Sequence, residues 1–301
     1  MKTKSTVFRT LLSAALLTLF IVATGCRGAD QPAGNTQAPR QTAYEHILQT
    51  GVIRAGYLPY PPGSIKDPNT GKVSGIHIDA LERAAAAMGL RVEWTPASGW
   101  GSIVEDVRTG RVDVIGSPVW ANATRGKLAD FTVPLFWSGI CVYVRADDHR
   151  FDGNLPLINK SDVRLATIDG EMSDIIAQAD YANAKRVSLP QNSDNSLILE
   201  SVAAGRADVV FVEPYIANLY LKGKPGSLRN ITPDSPVRVF PNTMMVSKNE
   251  PALKSMLDTA LGELLNSGVI DRLLKQYAPE PGSFFLNAFP FRTDRAPNPA
   301  R

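Results

Sequence analysis

Cysteine is scarce in this sequence of 301 residues, which contains only Cys26 and Cys141. The two lie far apart in segments of different kinds, so no disulfide framework is available. Cys141 falls inside a short apolar run, and we expect it to be a small buried apolar residue. Histidine is nearly as rare. His46, His77 and His149 lack the spacing of metal ligands, and we predict no metal site.

Motifs for cofactor chemistry and acyl transfer are also absent. The sequence contains no Walker A loop, no Gly-x-Gly-x-x-Gly fingerprint and no Gly-x-Ser-x-Gly nucleophile elbow. We therefore expect no cofactor, and the missing catalytic signatures favour binding over catalysis.

Acidic residues are missing from the start of the chain. Lys2, Lys4 and Arg9 lie in the first 25 residues, where there is no acid, and the other basic residues balance the 29 acids. A neutral body gives no electrostatic support for a nucleic-acid partner. With 44% apolar residues, the chain is long enough for two globular domains.

Residues 1–25 have the layout of a secretory signal, with a cationic start, an apolar run over Leu11–Val22 and small residues before Cys26. The run is too short to cross the ~30 Å hydrocarbon core of a membrane as a helix. Ala-Thr-Gly-Cys at 23–26 resembles a bacterial lipobox. It predicts a lipoprotein signal peptide at 1–25, an acylated Cys26 and a lipid anchor to a membrane of the periplasm or cell envelope. The alternative is a plain secretory signal before an incidental cysteine.

A polar segment follows the predicted acylation site. Between Arg27 and Ala43 there is no Val, Ile, Leu, Met or aromatic residue, so this stretch cannot bury enough apolar surface to order itself. We predict a disordered, lipid-anchored tether over 26–43, with a root-mean-square reach of roughly 20–25 Å.

After Tyr44, strand-like and helix-like patterns alternate, which favours α/β architecture with largely parallel sheets. Asp79 is a suitable N-cap for an alanine-rich helix. Strands are predicted at Val52–Tyr57, Arg91–Trp94, Val112–Gly116, Val163–Thr167 and Ala207–Val212, and helices at Asp79–Met88, Ser102–Arg108 and Ser196–Ala204.

One segment has an internal copy: Gly110-Arg111-Val112-Asp113 is matched by Gly205-Arg206-Ala207-Asp208. Each glycine can close a helix, and the apolar run after each aspartate suits a buried strand. We therefore expect equivalent strands in two similar lobes. Their carboxyl ends deliver residues 116–118 and 212–214 to the edge where ligands of open α/β sheets bind.

Several segments resemble those of the periplasmic solute-binding proteins of polar amino-acid ABC importers. The resemblance runs from about Tyr44 to Tyr277, and the order and spacing of the segments carry it. The matching segments are Gly51-Val52-Ile53-Arg54-Ala55-Gly56, Tyr60-Pro61-Pro62, Gly75-Ile76-x-Ile78-Asp79, Arg125, Asp130-Phe131-Thr132-x-Pro134, Ser267-Gly268-Val269-Ile270 and Lys275-x-Tyr277.

The resemblance implies a two-lobed α/β fold of the periplasmic-binding-protein kind (type II), with a ligand cleft between the lobes. It also implies two hinge strands, near Ile140–Val144 and Thr243–Val246, and a monomer. The predicted division is 44–144 with 242–279 for the first lobe, 145–241 for the second, and 280–301 for a C-terminal extension that the resemblance does not cover.

For the ligand, the resemblance implies two opposite charges on the two lobes. Arg125 falls where the family grips the α-carboxylate, and a guanidinium offers a planar fork that fits a carboxylate. Glu213 falls where the family receives the α-ammonium. The plain alternatives are a solvated surface arginine, and an acid that stabilises a helix N-terminus.

Five further residues complete the predicted ligand site. Tyr60 and Trp100 match walls around the ligand side chain, although core packing would also explain such aromatics. Trp120 stands where the family has a small hydroxyl residue, and Ser117 follows the first lobe's strand. Ser173 and backbone N–H groups are the donors left in Gly170-Glu171-Met172-Ser173, which replaces a Gly-Ser/Thr pair at a helix N-terminus.

The predicted function is that of the substrate-binding component of an ABC importer. It would capture a small amino acid or related zwitterion and deliver it to a membrane permease, without enzymatic activity. The same family includes cyclohexadienyl dehydratases, which remove water and carbon dioxide from prephenate or arogenate, and Glu171 and Glu213 are cleft acids suited to such work. A ligand-sensing lipoprotein is the third possibility.

Overall fold

A computed structural model describes residues 41–278 and 284–286. The predicted signal peptide, Cys26, most of the tether and most of the C-terminal extension lie outside these residues. The described helices are α1 (Ala43–Thr50), α2 (Ile76–Ala87), α3 (Ile103–Arg108), α4 (Ala123–Gly126), α5 (Met172–Asp180), α6 (Ser196–Ala203), α7 (Pro214–Gly223), α8 (Pro251–Asn266) and α9 (Val269–Tyr277), with a 3-10 helix at Leu155–Asn159.

The strands lie between these helices in the order that the sequence predicts for an α/β protein. They are β1 (Val52–Tyr57), β2 (Ile65–Lys66), β3 (Val73–Ser74), β4 (Arg91–Pro96), β5 (Val114–Trp120), β6 (Ala129–Phe131), β7 (Phe136–Arg145), β8 (Arg164–Ile168), β9 (Lys185–Leu189), β10 (Val209–Val212), β11 (Leu228–Asn230), β12 (Arg238–Ser247) and β13 (Phe284–Phe285).

The described chain forms two sheets with the same arrangement of strands. In the first, β4, β1 and β5 are parallel and β12 pairs antiparallel with β5. In the second, β9, β8 and β10 are parallel and β7 pairs antiparallel with β10. The first and second lobes are named here after these two sheets.

Strands β7 and β12 join the lobes, and they pair with each other over Phe136–Ile140 and Arg238–Asn242. Beyond Ile140, β7 pairs with β10 through Cys141–Val144, so the predicted hinge segment 140–144 enters the second sheet. Beyond Asn242, β12 pairs with β5 in the first sheet. The described chain thus crosses between the lobes on two paired strands, which is the hinge.

The internal copy forms equivalent structure in both lobes, as predicted. The Asp113 carboxylate accepts from the backbone N–H of Arg54 at 2.8 Å and pairs with its guanidinium. Asp208 does the same for Arg164, at 2.9 Å to the backbone. Each aspartate thereby ties the strand that follows it to the N-terminal half of its parallel neighbour.

Helix α2 begins earlier than predicted, and Asp79 is not its N-cap. The first N–H groups, those of Ile76 and His77, donate to the carbonyls of Pro62 and Gly63 at 3.0 and 2.8 Å. Because a neighbouring loop satisfies these orphan donors, no side-chain cap is needed. Asp79 instead accepts a hydrogen bond from the Tyr277 hydroxyl at 2.9 Å.

The two ends of the described chain are held by specific contacts. Thr42 caps α1 in a reciprocal capping box with Glu45, so ordered structure begins within the last residues of the predicted tether. Strand β13 pairs with β7 opposite Ser138 and Trp137.

Cys141 is buried, as predicted. None of the helices in the described residues has both the length and the apolar character needed to cross a membrane.

Candidate functional site

Four of the predicted site residues meet at one point between the lobes. Tyr60, Trp100, Trp120 and Arg125 of the first lobe line a cavity of about 10 Å³, which Pro118, Glu171 and Met172 complete. The Tyr60 ring meets both indoles edge-on, with centroids 5.6 and 5.7 Å away. The cavity has room for about one water molecule, so the lobes are closed on each other here.

Glu213 of the second lobe lies next to Tyr60, one of the residues that line this cavity. It precedes α7, is 1% exposed, and accepts a hydrogen bond from the Tyr60 hydroxyl across the cleft. Burial raises the pKa of Glu213 to about 8, and the nearby Glu171 adds to the rise, while hydrogen bonds from Tyr60 and Ser138 oppose it. At neutral pH the carboxyl is therefore mostly protonated.

Arg125 crosses the cleft in the opposite direction. Its guanidinium donates to the carbonyl of Gly170 in the second lobe at 2.8 Å, and over 3.4–3.5 Å to those of Trp100 and Trp120. Burial lowers the pKa of Arg125 to about 10, and Glu171 opposes the change. The side chain remains a cation at neutral pH, and these carbonyls leave part of its donor fork unused.

Glu171 lines the cavity, and the sequence predicts it as a cleft acid but not as a ligand contact. It caps α5, and its carboxylate accepts from the backbone N–H and hydroxyl of Ser173 at 2.7 and 2.6 Å. Burial raises the pKa of Glu171, against these hydrogen bonds and the charge of Arg125. The segment 170–173, which departs from the family's pattern, was the signal that pointed to it.

The two predicted serines use their hydroxyl groups within their own lobes. Ser117 accepts from the Leu58 N–H and donates to the Leu58 carbonyl, both at 2.8 Å. Ser173 donates to Glu171 and accepts from the Ile168 N–H. Neither residue lines the cavity. A ligand contact by either hydroxyl stays a prediction. Donation to a ligand would require the present donor bond to break, whereas a second lone pair is left to accept.

Trp120 occupies its position with partners that the sequence did not indicate. The indole N–H donates to Asn242 Oδ1 at 3.0 Å, and the ring stacks on Phe240 with centroids 5.3 Å apart. Asn242 and Phe240 both belong to β12, and Asn242 Nδ2 donates to Ser138 Oγ on β7 at 2.5 Å. The aromatic wall is thus bonded to the hinge.

Glycines allow the lobes to approach closely beside the cavity. Side-chain carbons added at Gly99 and Gly101 would lie 2.7 Å from Gln191 of the second lobe, and one at Gly170 would lie 2.7 Å from the Gly101 Cα. The backbone N–H of Trp100 donates to the Gln191 carbonyl at 3.2 Å. At Gly170 the obstacle is backbone, so only glycine fits there in the closed arrangement, whereas a side chain at Gly99 or Gly101 would require the Gln191 side chain to move.

A larger chamber of about 490 Å³ lies outside the cavity and shares Trp100 and Arg125 with it. It is walled by apolar residues of both lobes, Val104 and Leu128 on one side and Ile175 on the other. Arg125 therefore lies between a nearly filled inner cavity and an open outer space.

Comparison with known proteins identifies the family. The model of the bacterial extracellular solute-binding proteins, family 3, matches residues 53–280, most of the chain. The protein belongs to this family. Its two-lobed α/β fold is the fold of periplasmic binding proteins.

The relatives of this family 3 protein include binding proteins and an enzyme. It is 23% identical over 240 residues to the cyclohexadienyl dehydratase of Pseudomonas aeruginosa, covering 79% of this chain and 87% of that one. It is 23% identical to the L-cystine-binding protein TcyJ of Escherichia coli, covering 77% and 84%. Among solved structures, the ancestral amino acid-binding protein AncCDT-1, a precursor of cyclohexadienyl dehydratase, has a TM-score of 0.68 and 25% identity, covering 79% and 99%.

Proposed function

We propose that this protein is the substrate-binding component of an ABC importer and that it binds a small amino acid or related zwitterion between Arg125 and Glu213. The observation that carries the proposal is that the partly buried Arg125 lines an aromatic cavity together with Tyr60, whose hydroxyl group hydrogen-bonds the buried Glu213 of the other lobe. A buried charge needs a compensating partner. A ligand carboxylate would pair with the guanidinium, and a ligand amine with the Glu213 carboxyl.

Binding of an amine would change the protonation of Glu213. With a pKa of about 8, Glu213 is mostly protonated at pH 7 in the closed protein. A cation beside the carboxyl favours its charged form, so an ammonium group would expel the proton. The lobes would open on the hinge to admit the ligand, because the closed cavity has room for about one water molecule.

The cellular setting follows from the sequence. An acylated Cys26 with a flexible tether would keep a monomeric binding protein beside the membrane permease that it serves. A sensor that binds the same ligand and signals instead of transporting it would share this site and anchor.

Titration calorimetry tests the binding role with the mature chain and a panel of amino acids and small amines. Arg125→Ala is expected to weaken binding of the best ligand by at least about 30-fold, since truncating one member of a buried charge pair costs about 2–5 kcal/mol. Arg91→Ala is the matched control, because Arg91 pairs with Glu93 on the exposed surface. At pH 7, the binding heat should also depend on the ionisation enthalpy of the buffer, which reports the released proton.

A similar affinity for Arg125→Ala and the wild-type protein would remove Arg125 from the ligand site. A binding heat that does not change between buffers would exclude an amine at Glu213.

A second candidate function is dehydration of a cyclohexadienyl acid. The specific observation is a buried carboxyl that is protonated near neutral pH, as a general acid requires, in a chain related to such a dehydratase. Arg125 would hold a substrate carboxylate. The ring carboxylate would leave as carbon dioxide, and its electron pair would aromatise the ring. The hydroxyl group would leave as water with the proton of Glu213, which solvent then restores.

Incubation with prephenate or arogenate separates the two functions. An enzyme would form phenylpyruvate or phenylalanine, and Glu213→Gln would abolish the product. Absence of product with the wild-type protein, together with amino-acid binding, would leave the importer role alone.

A further inference from the structure

A chain of hydrogen bonds runs from the aromatic wall of the cavity through the hinge to Glu213. Trp120 Nε1 lies 3.0 Å from Asn242 Oδ1, and Asn242 Nδ2 lies 2.5 Å from Ser138 Oγ. The Ser138 hydroxyl in turn hydrogen-bonds the Glu213 carboxyl. All four side chains are nearly or wholly buried, so water does not compete for these bonds. Asn242 and Ser138 lie on β12 and β7, the two strands that join the lobes.

The direction of this chain is determined by chemistry at its first member. An indole N–H can only donate, so the Asn242 atom facing Trp120 is the amide oxygen. The Asn242 NH₂ group must then face Ser138, whose oxygen accepts from it. The hydroxyl proton of Ser138 is left to point at Glu213. Together with the Tyr60 hydroxyl, this directs two O–H donors at one carboxyl group, and hydrogen bonds to a carboxylate favour its charged form.

We propose that Trp120, Asn242 and Ser138 are positioning residues that orient Glu213 and stabilise the carboxylate that forms when Glu213 receives a ligand's amine. The inference rests on the proposed function for its purpose. It also gives Trp120 a role different from that implied by the family resemblance. The residue that replaces a small hydroxyl beside Arg125 acts on the amine-binding side of the site, through the hinge.

The charged and titratable groups around this chain of bonds are few among the described residues. Tyr60 and Glu171 act on Glu213 directly, and Arg125 acts on Glu171. His77 lies against the Asn242 backbone, and burial lowers its pKa to about 3, so it is neutral. Burial and the nearby Glu171 thus favour the protonated form of Glu213, and the hydrogen bonds from Tyr60 and Ser138 favour its charged form.

Infrared spectroscopy on the ligand-free mature chain tests the inference. The C=O band of the protonated Glu213 carboxyl, isolated as the difference from Glu213→Gln, is followed against pH. Ser138→Ala should raise the titration midpoint by about one pH unit or more, the usual strength of a hydrogen bond to a charged group. Trp120→Phe should shift it in the same direction, because Asn242 is then free to turn its oxygen to Ser138.

Ser138→Thr keeps the hydroxyl and should restore the wild-type midpoint. Trp94→Phe is the matched control, since it removes an indole N–H that donates to Glu82 at 3.0 Å on the surface. Titration midpoints within about 0.2 pH units of wild type in both Ser138→Ala and Trp120→Phe would overturn the proposal. A lower midpoint in either variant would also overturn it. If Ser138→Ala does not fold, the midpoint of Trp120→Phe decides. Because no ligand is present, a failed ligand screen would contradict the proposed function and leave this result unchanged.

Discussion

In Glu213 a structural cost is combined with the binding role that we propose for this residue. Burial disfavours its charge, and Tyr60 and Ser138 supply donors that favour it. The balance leaves a pKa of about 8, within reach of physiological pH. A group in this condition responds to a nearby cation by losing its proton, which suits the amine recognition that we propose for this site.

The raised pKa of Glu213 also predicts how stability depends on pH. Between about pH 4.5, the ordinary pKa, and about 8, the folded chain keeps a proton that the unfolded chain releases. The free energy of unfolding should therefore fall as pH rises through this window, by about 4–5 kcal/mol from this group. Urea unfolding from pH 4.5 to 8.5 measures the fall, and Glu213→Gln should reduce it strongly. Parallel curves for the two proteins would contradict the assigned pKa.

At the scale of elements, the loop 99–101 before α3 and the loop that carries Gln191 after β9 are shaped for one another. Gln191 lies where side chains at Gly99 and Gly101 would be, and its Oε1 accepts from the Ser102 hydroxyl at 3.1 Å. The contact joins the two lobes only when they are closed. It therefore contributes to closure beside the cavity, which Trp100 of the same loop lines.

Gly101→Ala tests this contact. The added carbon would lie 2.7 Å from Gln191 Oε1, and Gly101 does not need a positive φ, so the effect is steric. We expect affinity for the best ligand of the screen to fall about 3- to 10-fold, for a cost of about 1 kcal/mol. Calorimetry should show a smaller fall when the same change is made in a Gln191→Ala background. Gly262→Ala is the control, because a carbon there meets open space.

An equal loss of affinity from Gly101→Ala in both backgrounds would show that Gln191 is not the group it meets.

At the scale of the whole molecule, the C-terminal strand reaches the hinge. Phe284 of β13 pairs with Ser138 of β7. Its ring lies 5.2 Å from that of Phe136 in β7 and 5.7 Å from that of Tyr215 in α7 of the second lobe. The Tyr215 hydroxyl in turn donates to the carbonyl of Tyr277 at 3.1 Å. These contacts tie the hinge to both lobes.

Phe284→Ala should therefore lower the free energy of unfolding by about 1–2 kcal/mol, as expected for a partly buried aromatic ring. Phe285→Ala is the matched control, because side chains alternate along a strand and Phe285 is 44% exposed. Urea unfolding of both variants measures the difference. An equal decrease in the free energy of unfolding for the two variants would mean that the packing of the Phe284 ring does not stabilise the fold.

Local patterns predicted the parts of the fold that depend on local chemistry. The short, mostly apolar segment Val52–Tyr57 predicts β1 with the bounds that the structure has. The repeated Gly-x-x-Asp segments predict equivalent strands, because each glycine can close a helix and an apolar run follows each aspartate. The structure adds that each aspartate ties its strand to the neighbouring one. The predicted start of α2 was wrong, because the carbonyls that accept from its first backbone N–H groups come from another loop.

The sequence by itself determined the α/β class, the two related lobes and the set of aromatic and charged residues from which the site is built. Only the tertiary structure decided what these residues do for one another. Tyr60 and Glu213 are 153 positions apart, and Trp120 and Asn242 are 122 apart, so no local pattern could indicate that they are bonded. The charge of Glu213 and the partner of Trp120 depend on burial and hydrogen-bond direction, and both arise only when the lobes and hinge strands come together.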